Sequence, residues 1–108
     1  MKVHIDISIF VQDTKAFGQV SGSLDLPDTP YVGTTISLML PTKKDVLPCS
    51  VRGFSGNLRV TNLIFAPQGS TQTAAIAMLE DLVLDSSEDA KGVMVFLENG
   101  FGLFGDQY

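Results

Sequence analysis

The chain has 108 residues, 44% hydrophobic and 18% charged, which is the balance of one globular domain (1–108) and not of a disordered segment. One Cys, one His and no Trp leave little for metal or nucleophile chemistry, so no cofactor is expected, and no stretch approaches the ~18 apolar residues that a membrane span requires. Twelve acids against seven bases give a net charge of −5, which argues against nucleic acid as a partner, because affinity for a phosphate backbone comes largely from Lys and Arg displacing counterions.

Lys2 to Gln12 alternates cleanly. Val3, Ile5, Ile7, Ile9 and Val11 fall on one side and His4, Asp6, Ser8, Phe10 and Gln12 on the other, the period of a half-buried strand. After the polar stretch Asp13 to Ala16, a second strand over Phe17 to Leu26 follows Val20, Leu24 and Leu26, with Gly22 marking a bend or bulge, and the two read as a hairpin. Pro27, Asp28 and Pro30 end it. Thr34 to Leu40 resumes the alternation at Ile36, Leu38 and Leu40 before Pro41 and the polar loop Thr42 to Asp45. Cys49 to Phe54 and Leu58 to Ala66 flank Ser55-Gly56-Asn57, a second hairpin of the short-loop kind. The consecutive Leu63, Ile64 and Phe65 suggest that both faces of its second arm are covered, as in a central strand.

Thr73 to Leu84 fits two patterns. As a strand it aligns Ile76, Met78, Leu82 and Leu84; as a helix it aligns Ala75, Met78, Leu79, Leu82 and Val83. Glu80 and Asp81 would lie near the negative end of a helix dipole, and Leu82-Val83-Leu84 extends a sheet readily, so strand is preferred. A three-turn helix then begins at Asp85 or Ser86 as N-cap, with Glu88 or Asp89 completing a capping box. Ala90, Val93, Met94, Leu97 and Phe101 form its stripe and Asn99-Gly100 its stop. Gly92 within it suggests close packing against a strand. The sum is an α+β domain: an antiparallel sheet or sandwich of about six strands with a C-terminal helix packed on it.

Several motifs have simpler explanations than the chemistry they suggest. Gly100, Gly102 and Gly105 spell GxGxxG, but the dinucleotide fingerprint needs a strand before it and a helix after it, and only Asp106 to Tyr108 follow. Gly53 to Gly56, flanked by Arg52 and Arg59, resembles a GxxG RNA clamp without the helices that such a clamp needs. His4 and Cys49 would need an orienting third group and an oxyanion site to act as base and nucleophile. Asp85, Glu88 and Asp89 lack the alternating ligands and central Gly of a calcium loop. The first ten residues lack the apolar core of a secretory signal and Cys49 is unpaired, which together predict a cytoplasmic protein.

The charge distribution says more than its total. Residues 1–59 hold five acids and six bases, whereas 60–108 hold seven acids and one base, Lys91. Glu80, Asp81, Asp85, Glu88 and Asp89 fall within ten positions and are the candidate partner-binding residues; such a field attracts a cationic protein and speeds its encounter. In size, acidity and strand content the whole chain resembles the immunity proteins of bacterial contact-dependent growth inhibition and related toxin systems. That resemblance implies a non-catalytic inhibitor that neutralises a basic toxin domain, often a nuclease, by covering its active site. The alternative is an assembly subunit that associates through a sheet edge or through Phe101, Leu103, Phe104 and Tyr108.

Overall fold

The computed structural model describes residues 2–12, 15–39, 41, 51–65 and 75–108. They form a mixed sheet of seven strands with one helix on it, the α+β arrangement expected. The strands are β1 (Lys2–Val11), β2 (Lys15–Asp25), β3 (Thr35–Ser37), β4 (Asn57–Phe65), β5 (Ala75–Leu79), β6 (Leu82–Leu84) and β7 (Phe104–Gln107); the helix, α1, is Ser87–Phe101. Their spatial order is β3-β4-β5-β1-β2-β7, with β6 beside β1.

β1 organises the rest because its alternation gives it one wholly apolar face. Val3, Ile5, Ile7 and Ile9 are fully buried there, each contributing roughly 1.5–3 kcal/mol relative to exposure, whereas His4, Asp6, Ser8 and Phe10 on the other face are only half-buried. α1 covers the buried face, packing on β1, β2, β6 and β7. Its inward side chains are Ala90, Val93, Met94, Phe96, Leu97 and Phe101. Phe96 packs edge-on against both Phe54 and Phe101, with ring centroids 6.0 and 5.7 Å apart, which ties the 51–54 turn to the helix.

The sheet departs from the all-antiparallel expectation at its centre. β2 runs antiparallel to β1, but β5 pairs parallel with β1 at His4–Asp6 and β6 parallel at Ile9–Val11. Period-2 alternation fits either direction, so the pattern carries no information about it. Direction follows from what comes next: β6 must deliver the chain to the far end of β1, where Gln12 N–H donates to the Leu84 carbonyl at 2.9 Å and α1 begins.

Other expectations shift in detail. Of the segment 73–84, residues 75–84 are described and are strand, interrupted at Glu80 and Asp81. The irregularity in β2 lies at Phe17, which is inserted between Gly18 opposite Ile9 and Ala16 opposite Phe10; Gly22 stays in register with Ile5, and its bare Cα makes room for Leu103. The partner of β4 over Asn57–Arg59 is β3, and among residues 51–54 there is only a turn closed by Phe54 N–H to the Val51 carbonyl; Cys49 and Ser50 lie outside the described residues. Ile64 and Phe65 are 47% and 64% exposed, so that end of β4 is not covered on both faces. Of the expected third strand, Thr35–Ser37 forms the ladder with β4, flanked by the Val60 N–H donating to the Thr34 carbonyl and the Leu38 N–H donating to the Gly56 carbonyl; Leu40 and residues 42–50 lie outside the described residues.

α1 runs past Asn99-Gly100. It stops where Gly102, at φ 73°, turns back its own N–H to the Glu98 carbonyl and the Leu103 N–H to the Leu97 carbonyl. Gly92 is exposed and a Cβ there would meet nothing within 4 Å, so close packing does not explain it. Among the described residues, no helix is long and apolar enough to cross a membrane.

Candidate functional site

The five acids fall into two groups because β6 runs between them. Asp81 and Asp85 are four residues apart along extended chain, about 13 Å at ~3.3 Å per residue. Glu80 sits at the end of β5, where the β4–β5 register shifts between Val60 and Asn62. Its N–H donates to the Arg59 carbonyl at 2.9 Å, and its Oε1 accepts from the Arg59 N–H at 2.8 Å. Glu80 therefore ties the end of β5 to the backbone of β4 beside the bulge at Thr61, a task that no local sequence signal announces. Asp81 beside it is exposed.

Asp85, Glu88 and Asp89 gather where β6 passes into α1. Ser86 is the N-cap, extended at φ −147° and ψ 162°, and its Oγ accepts from the Asp89 N–H at 3.1 Å. That choice settles the two caps allowed by the sequence, and it leaves Asp85 free to look back across the sheet. Its Oδ1 accepts from Gln12 Nε2 at 2.8 Å, while its Oδ2 lies 3.9 Å from Arg52 Nε. The Arg52 side chain is 87% exposed, so this ion pair is weak and screened and does not neutralise the group. Glu88 is exposed and Asp89 half-buried in the first turn, where the positive end of the helix dipole favours carboxylates. Gln12, on the polar face of the first strand, and Arg52, beside Gly53, both reach the site through pairings remote in the chain.

The remaining motifs are placed without chemistry. His4 Nε2 lies 3.3 Å from Asp6 Oδ1 on the uncovered face of β1, and Cys49 lies outside the described residues. Gly100, Gly102 and Gly105 run from helix to strand, the reverse of the dinucleotide order, so the nearest helix end presents carbonyls and not N–H groups to an approaching phosphate. Gly53 and Gly56 both have positive φ and belong to consecutive turns ahead of β4, with no helix beside them among the described residues. Among the described residues no group of three or more His, Cys, Asp and Glu is arranged to hold a metal ion.

Two open clefts lie around the Leu26 end of β2. One of about 310 Å³ lies between Ser23–Leu26, Ile36–Leu38 and Phe101; its neighbour of about 330 Å³ lies under the loop from Leu26 to Tyr31. Among the described lining residues each holds one carboxylate, Asp25 or Asp28, and the second also holds Tyr31. The residues of the alternative reading divide: Phe101 and Leu103 are buried, whereas Phe104 and Tyr108 are 74% and 69% exposed.

No family model, no curated protein and no solved structure matches the chain.

Proposed function

We propose that the chain is a non-catalytic binding protein, an immunity-type inhibitor that covers the active site of a basic toxin domain with an acidic surface. One observation supports this above the others. Asp85, Glu88 and Asp89 crowd the β6–α1 junction, and the only cation paired with them among the described residues is the loosely held Arg52. Carboxylates that a fold leaves so weakly compensated raise the local negative potential, which steers a cationic partner and substitutes for the phosphates it would otherwise hold. Asp81 extends the surface beyond β6, and Glu80 contributes charge while its Oε1 is held on the backbone. Burial in the complex would make these groups worth more than they are in water, provided that each meets a cation or a donor.

The test is co-expression with the C-terminal domain of any large protein encoded immediately upstream. The wild-type chain should rescue growth and co-purify with that domain, and a variant carrying Asp81→Asn, Asp85→Asn, Glu88→Gln and Asp89→Asn should do neither while remaining folded. Rescue by that variant, or the absence of any toxic upstream domain, refutes the proposal. The second reading, an assembly subunit, has the exposure of Phe104 and Tyr108 in its favour. It requires an oligomer that the four substitutions leave intact.

A further inference from the structure

Among the described residues the sheet ends on one side at β7, and an outer strand offers a row of unpaired peptide groups to any chain that can add to it. Peptide groups of a strand point alternately to its two sides. The N–H of Tyr108 donates to the Phe17 carbonyl at 2.9 Å, so the peptide groups of Phe104, Asp106 and Tyr108 face β2, and those of Gly105 and Gln107 face outward. The outward N–H of Gly105 is occupied: it donates to Glu98 Oε2 at 3.2 Å, a part-buried contact reaching over from α1. Glycine permits this approach. A Cβ at position 105 would lie 2.4 Å from Met94 Cγ and 3.2 Å from Glu98 Cδ.

We propose that Glu98 is an edge guard, whose carboxylate occupies the Gly105 N–H and thereby keeps a second copy of the chain from adding its β7 antiparallel to this one. A second copy is the occupant excluded because β7 is complementary to itself in one register. With Asp106 on a two-fold axis, Gly105 faces Gln107 of the second copy and both direct their peptide groups outward. Phe104 then lies across from Tyr108 of the second copy, a cross-strand aromatic pair made twice. The same register sets Asp106 against its own copy, and like charges directly opposed are destabilising, so the guard has a second element. This inference is independent of the acidic contact surface, which lies at the β6–α1 junction.

Two measurements on the full chain test it. In hydrogen exchange, Glu98→Ala should speed exchange of the Gly105 amide by at least about tenfold, the effect of losing a hydrogen bond to a charged group, while Glu98→Gln, which keeps an acceptor, should change it less. In sedimentation velocity over a wide concentration range, wild type and Glu98→Gln should be monomeric and Glu98→Ala/Asp106→Asn should dimerise. Adding Phe104→Ser and Tyr108→Ser should restore the monomer, with a thermal melt confirming the fold of each variant. An unchanged Gly105 amide in Glu98→Ala overturns the proposal. So does a monomeric double variant, a wild type already paired through β7, or association that persists without the two aromatics.

Discussion

Three glycine-to-alanine substitutions separate backbone conformation from packing. Gly33 and Gly53 have nearly the same φ, 96° and 94°, so the cost of forcing a side chain into that region, roughly 1–3 kcal/mol, is common to both. Their surroundings differ. A Cβ on Gly33 meets nothing within 4 Å, whereas one on Gly53 would lie 2.3 Å from the Val83 carbonyl oxygen, a backbone atom of β6 that moves only if the 51–54 turn lifts off the sheet. Overpacking of that kind adds roughly 1–3 kcal/mol. Gly92, inside α1 and open to solvent, should respond with the opposite sign, gaining about 0.8–1 kcal/mol of helix propensity as alanine. For 108 residues at about 2.1 cal/mol/K each, 1 kcal/mol corresponds to roughly 4 °C in Tm. Thermal unfolding by circular dichroism should therefore rank Gly92→Ala above wild type by about 4 °C. Gly33→Ala should fall below wild type, and Gly53→Ala should fall lower than Gly33→Ala by a further ~4–13 °C. Equal losses at positions 33 and 53 would refute the docking of the turn on β6, and a loss at position 92 would refute the free helix face.

Three further outcomes follow from the same packing. Ile7→Ala should cost about 2–5 kcal/mol in urea unfolding, since its site on β1 is fully buried, while Ser8→Ala on the uncovered face should stay within about 0.5 kcal/mol; similar losses would mean that both faces are packed. Ser86→Ala removes the acceptor of the Asp89 N–H and should cost about 1 kcal/mol, with Ser86→Asp restoring most of it; an unchanged midpoint would place the cap elsewhere. Arg52→Ala should change stability by less than about 0.5 kcal/mol, because the pair with Asp85 is long and exposed, and a larger loss would show the acidic junction to be neutralised by design.

The parts of the fold legible in the sequence are those fixed by neighbours a few residues away. β1 is written in its alternation, and the start of α1 in Ser86 followed by two acids. The same locality explains what was missed. Alternation is blind to strand direction, so the parallel placement of β5 and β6 along β1 could not be read. Phe104–Gln107 has two polar residues and a Gly and shows no strand pattern; its pairing with β2 is imposed by the helix that precedes it. The acids show the same division. Asp85, Glu88 and Asp89 are grouped by a helical turn, which sequence spacing reveals, but Glu80 finds Arg59 across 21 residues and Asp85 finds Gln12 across 73. Charge alone placed all five together, and the tertiary contacts then distinguished a backbone closure from an exposed surface.

The inhibitor reading is tested most directly by the association rate for a basic toxin domain that the chain neutralises in co-expression, measured against salt for wild type and for the variant with Asp81, Asp85, Glu88 and Asp89 neutralised. Wild type should bind fast at low salt and slow steeply as salt rises, and the variant should bind at least about tenfold more slowly with little salt dependence. Equal rates and equal salt slopes for the two proteins would contradict the account.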